Sequence, residues 1–163
     1  MLGKGIFMRV VFLSPVPYRV LRIFLGVLFL ASGLAKSMDL VFFSKTIQAF
    51  AIIPGSLCLP AAVMIVLAEI VFGGGLVLDI RFCLGGILVL VLGFMVVVGH
   101  AIHMGYDIDC GCFGPGDPEA SAFRGLYTAL YRDMALLVVA GYLFLWRHKT
   151  GHRPVPLWFN KKN

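Results

Sequence analysis

Two cysteines one residue apart, Cys110 and Cys112, sit in the polar stretch "GYDIDCGCFGPGDPE" (residues 105–119). A disulfide between them would close a small ring outside the easy range of disulfide geometry, so it would be strained and readily reduced. Gly111 relaxes the backbone demand, and Gly114, Pro115 and Gly116 shape a turn that could hold the pair. So short a loop removes little unfolded-chain entropy, which suits exchange better than stapling. A partner's thiolate would attack one sulfur of the Cys110–Cys112 disulfide, or Cys110 or Cys112 as thiolate would attack a partner's disulfide. A second thiol would resolve the mixed disulfide. The nearby Asp107 and Asp109 disfavour a thiolate, and only Arg124, Arg132 or a protonated histidine would oppose them.

Two alternatives stay open. The thiols could be structural, with Cys58 as a third thiol within reach and Cys83 at the other end of its span. They could also bind metal, because His100 and His103 share one helix face. With Asp107, Asp109, Cys110 and Cys112 these histidines could assemble a Zn or Cu site. A lone Cys-x-Cys is a weaker metal signal than paired Cys-x-x-Cys knuckles.

The elements that position this loop are apolar. Of 163 residues, 60% are hydrophobic and 13% charged, a balance that belongs to membrane proteins. A span needs roughly 20 apolar residues. Four stretches qualify, at about 20–38, 57–78, 82–102 and 126–147, predicting an all-α, four-helix transmembrane bundle and one membrane domain over 1–163. Arg22 and Lys36 bound the first span, and their long stems are expected to snorkel outward. That span lacks a small-x-small cleavage site after its apolar run and is expected to be retained.

The net charge of +6 gathers at the two ends of the chain, which fits topogenic flanks and excludes a nucleic-acid face. Basic termini, with Arg81 after the second span, predict cytoplasmic termini. The acidic loop 104–125 is then extracytoplasmic, where disulfides persist. Inside the spans lie Lys36, Glu69, Arg132 and Asp133. Charges at such depth face a bundle interior, a cavity or one another. They could form an interhelical clamp, bind a headgroup, pass protons or orient a quinone beside the thiols. Gly26, Gly33, Gly73 to Gly75, Gly85, Gly86, Gly93 and Gly99 are expected to permit close helix approach. The tail "RPVPLWFNKKN" looks like an interfacial anchor in contact with membrane lipid.

"RIFLGVLFLASGLAK" supplies Arg22, Leu25, Gly26, Phe29, Gly33 and Lys36, and this resembles the first-span pattern of the DoxX/MauE-like membrane proteins. Glu69 in the second span and "CGCFG" (110–114) resemble the MauE-type, redox-associated branch. The resemblance covers about residues 19 to 147. It implies a four-helix membrane bundle that helps disulfide formation in an exported partner, often beside a thioredoxin-like protein. More loosely, the bundle is similar to quinone-linked disulfide machinery of the DsbB and vitamin K epoxide reductase type. The chain departs from that machinery in having no Cys-x-x-Cys and no second cysteine pair.

The expectation is therefore a multi-pass protein of the bacterial inner (plasma) membrane. It would be a thiol–disulfide oxidoreductase or redox accessory acting through Cys110 and Cys112, with a quinone as candidate cofactor. The rival is a non-catalytic assembly or anchoring subunit whose cysteines are structural or bind metal.

Overall fold

The computed structural model describes residues 14–105 and 122–151, the first four residues of the second segment by backbone alone. Five helices form: α1 Pro15–Met38, α2 Leu40–Ala49, α3 Gly55–Val77, α4 Cys83–His103 and α5 Ala122–Thr150. There is no strand among the described residues. Four of the five are long and apolar enough to cross a membrane; α2 is not.

Local chemistry sets the boundaries. Ser14 caps α1 by accepting from the Val16 N–H at 3.3 Å, and Pro15 fills the first helical position, where a missing N–H costs nothing. Asp39 separates α1 from α2. Its carboxylate accepts from the Phe42 N–H at 2.8 Å, so the chain restarts as a second helix instead of running on. The segment lies between the spans expected at about 20–38 and 57–78, where the sequence pattern predicts no helix. At the other end of the bundle, Asp79 takes a positive φ of 60° in the short turn between α3 and α4.

The four long helices bury a shared core of Leu25 and Phe29 (α1), Leu76 (α3), Leu84, Ile87 and Val91 (α4), and Leu136, Ala140 and Leu143 (α5). Their outward faces carry exposed Phe24, Met64, Val71, Val89, Val96 and Val138. A helix apolar on both faces suits a span whose solvent is lipid.

α1 and α3 run antiparallel in close contact. A Cβ on Gly26 would come within 3.0 Å of Val77 and the Gly73 carbonyl, and one on Gly33 would meet Ile70 and Glu69. The expected close approach is therefore made by Gly26, Gly33 and Gly73 between α1 and α3, and by Gly75 and Gly86 between α3 and α4, where a Cβ would run into Cys83 and the Phe72 ring. At Gly74, Gly85, Gly93 and Gly99 an added Cβ would meet nothing within 4 Å, so these four do not contact a neighbouring helix.

One end of the bundle gathers Tyr18, Asp79, Cys83, Trp146 and Arg147. The other gathers Phe50, Val98, Ala101 and Leu126, which pack as a second cluster. The segment carrying Cys110 and Cys112 leaves after Gly105 and rejoins at Ala122, so both of its anchor points belong to this second end.

Candidate functional site

Lys36 and Glu69 meet across the α1–α3 contact. Lys36 Nζ donates to Glu69 Oε1 at 2.5 Å and to Ser32 Oγ at 3.1 Å. The two charged side chains are 3% and 1% exposed. Lys36 therefore does not snorkel as the sequence reading expected. It lies on the same face of α1 as the buried Leu25, Phe29 and Ser32, and that face turns inward against α3. Arg22 also points inward. Its Nη1 donates to the Leu76 carbonyl at 3.1 Å.

On α5, Arg132 Nη2 and Nε approach Asp133 Oδ1 at 3.2 and 3.3 Å. Asp133 is buried, while the Arg132 side chain keeps 32% exposure. Lys36, Glu69, Arg132 and Asp133, with Ser32 and Phe94, line one small cavity of about 30 Å³. The space is large enough for about one water. Glu69 Oε2 and Asp133 Oδ2 are buried without a hydrogen-bond partner among the described residues. A buried carboxylate oxygen needs a donor, and a water in this cavity would supply one to both. Two cations and two carboxylates leave the group formally neutral.

Lys36, Phe94, Arg132 and Asp133 also line a larger cavity of about 200 Å³. Its walls are apolar, with Phe43, Ile47 and Phe50 from α2 and the adjoining turn, Ile65 from α3, and Val98 from α4. Ile52 lies at its rim and is exposed. The short helix α2 thus acts as a wall that closes the cavity on one side. Lys36 Nζ lies 5.2 Å from the centroid of the Phe43 ring and 5.0 Å from that of Phe94, close enough for cation–π attraction.

The structure brings Lys36, Glu69, Arg132 and Asp133 together and leaves the other sequence candidates apart from them. His100 and His103 are exposed at the end of α4. Cys58 is buried, with Sγ 3.6 Å from the Pro54 carbonyl, and Cys58 and Cys83 are both free thiols. Among the described residues no three His, Cys, Asp or Glu side chains assemble as a metal site. Cys110 and Cys112, and with them the metal alternative, lie outside the described residues.

Sequence reasoning did not find a second polar cluster, at the opposite end. Asp79 Oδ1 accepts from Arg147 Nη2 at 2.6 Å and from the Tyr18 hydroxyl at 2.9 Å, and pairs with Arg22 at 3.5 Å. Arg147 Nε donates to the Tyr18 oxygen at 2.9 Å, and Tyr18 stacks on Trp146 at 4.1 Å. One carboxylate therefore joins α1, the α3–α4 turn and α5. Tyr18 and Arg22, four residues apart on one helical face, were the available signal. Asp79→Ala should cost about 2–3 kcal/mol, the scale of lost hydrogen bonds to charged groups. Asp79→Asn, which tolerates positive φ, should cost less. Thermal unfolding of the two variants in detergent checks the order.

No curated protein and no solved structure matches the chain. The family model described as methylamine utilisation protein MauE matches residues 14–146. That match spans α1 to α4, most of α5 and every residue that frames the two cavities, and the chain therefore belongs to the MauE family.

Proposed function

We propose that this protein is a plasma-membrane accessory of methylamine utilisation that supports disulfide formation in an exported partner. In that reaction a Cys110–Cys112 disulfide exchanges with a partner dithiol. The partner's two thiols become a disulfide, and Cys110 and Cys112 become thiols, so protons and electrons balance. The observation that carries the reading is the Cys-Gly-Cys pair in a member of this family, in a segment anchored at the end of the bundle beside the larger cavity. A thioredoxin-like or other exported thiol protein is the partner class, and the basic termini support an extracytoplasmic loop.

Single Cys110→Ser and Cys112→Ser variants should fold yet leave the partner's thiols reduced, since neither can form the disulfide that exchanges. A partner lacking its second, resolving cysteine should instead accumulate a reducible mixed disulfide with the unaltered protein. Non-reducing electrophoresis and mass spectrometry locate the bond. Unstable single variants, and no adduct with the altered partner, would favour the assembly or anchoring reading.

Sidedness has its own check. Cys58 and Cys83 are buried, so a membrane-impermeant thiol reagent on intact, reduced cells reports on Cys110 and Cys112. Labelling is expected without permeabilisation. Protection that disappears only after permeabilisation would invert the orientation.

A further inference from the structure

We propose that the larger cavity is a binding site for a neutral, lipid-soluble molecule with a carbonyl-bearing six-membered ring, of the quinone class. Binding does not depend on the thiol exchange proposed above. The first argument is size. A dry cavity of about 150 Å³ admits a benzene ring, and this one measures about 200 Å³. A substituted ring fits, whereas a two-chain lipid does not.

The second argument is polarity. The walls are mostly apolar, and the Thr46 hydroxyl donates to the Phe42 carbonyl at 3.2 Å. The charged groups Lys36, Arg132 and Asp133 line the cavity together with Phe94. Such a site takes an apolar body and orients one polar head. The third is charge. Lys36, Arg132, Glu69 and Asp133 already balance, so an anionic head, such as a fatty-acid carboxylate, would find no excess cation to neutralise it.

The fourth argument is hydrogen bonding. An ammonium has three N–H donors and accepts nothing. Lys36 Nζ gives one to Glu69 and one to Ser32. Its third N–H has no oxygen acceptor among the described residues, and Nζ lies 5.2 and 5.0 Å from the Phe43 and Phe94 ring centroids, so a ligand oxygen would satisfy this buried donor. A flat ring carrying a carbonyl satisfies it and offers a face to the same two aromatic side chains. A tail would leave past Ile52 at the rim.

The test uses purified Cys110→Ser/Cys112→Ser protein in lipid nanodiscs, so that failure of thiol exchange cannot affect it. The probe is a decyl-tailed benzoquinone, quantified by its absorbance after separation from free probe, against empty nanodiscs. Saturable, stoichiometric retention is expected. Ala61→Trp, which fills the cavity without touching the charged group, should abolish it. Phe94→Leu should weaken it about threefold to tenfold, the scale of an aromatic ring contact.

Decylbenzene, with the same tail and no oxygen, should compete at least about tenfold more weakly, or about 1.4 kcal/mol. Folding of each variant is checked by helical circular dichroism and elution volume. Non-saturable retention overturns the proposal, as does folded Ala61→Trp protein that still binds. Equal competition by decylbenzene also overturns it, leaving the cavity as a place for lipid acyl chain.

Discussion

Glu69→Ala will cost about 3–5 kcal/mol of stability, because it strands the Lys36 ammonium in a core it cannot leave. That is about a fifth or more of what an ordinary domain has to spare. The loss comes from the unpaired charge and not from a missing attraction. Lys36→Met/Glu69→Leu, which replaces the pair with apolar groups of similar size, should recover most of it. Glu69→Gln keeps an acceptor for Lys36 and should fall between. Reversible unfolding in detergent, read as a double-mutant cycle, measures all of these. If the double variant loses as much as Glu69→Ala, the loss belongs to the attraction of the pair itself and not to the stranded charge.

Two adjacent glycines give the second large effect. A Cβ on Gly73 would lie 2.7 Å from the Leu30 nitrogen and 2.9 Å from the Gly26 carbonyl oxygen. These are backbone atoms of α1, and they cannot rotate away. Gly73→Ala should therefore push the helices apart and cost about 1–3 kcal/mol, as overpacking does. At Gly74 the same methyl meets nothing within 4 Å. Gly74→Ala should be neutral, or stabilising by up to about 1 kcal/mol through helix propensity. The comparison holds residue type and depth constant, so it isolates the helix contact. Equal effects at both positions would show that α1 and α3 are less tightly packed than the structure has them.

The four long helices were legible because a span must be apolar over its whole length, and that signal survives without knowledge of any neighbour. α2 was not legible. Its ten residues, "LVFFSKTIQA", are too few to span, and Ser44, Lys45 and Gln48 make them look like loop. The inward course of Lys36 was present in the sequence as a stripe. Leu25, Phe29, Ser32 and Lys36 follow one another at helical spacing on the side of Gly26 and Gly33. What spacing could not give is the partner. Lys36 meets Glu69, and not Asp133, because of how far α1 slides along α3, and that register depends on Gly26, Gly33 and Gly73 together. The Asp79 cluster was hidden for a similar reason. Arg147 serves equally well as a topogenic flank and as a buried donor, and only the position of Tyr18 and Asp79 distinguishes the two. The cavity needs residues from all five helices, so no single segment announces it.

The Lys36–Glu69 pair also bears on how the chain enters the bilayer. An unpaired charge near the middle of a lone helix costs about 3 kcal/mol at the insertion machinery. α3 carries such a charge in Glu69, and its counterion Lys36, in the last turn of α1, is made 33 residues earlier. At about 5–20 residues per second, the ribosome delivers Glu69 roughly 2–7 s after Lys36. A lone α1 can still snorkel Lys36 from its last turn to the interface, whereas α3 is a poor lipid-soluble segment until Glu69 meets Lys36. α3 should therefore leave the translocon paired with α1, which was synthesised first and supplies its counterion.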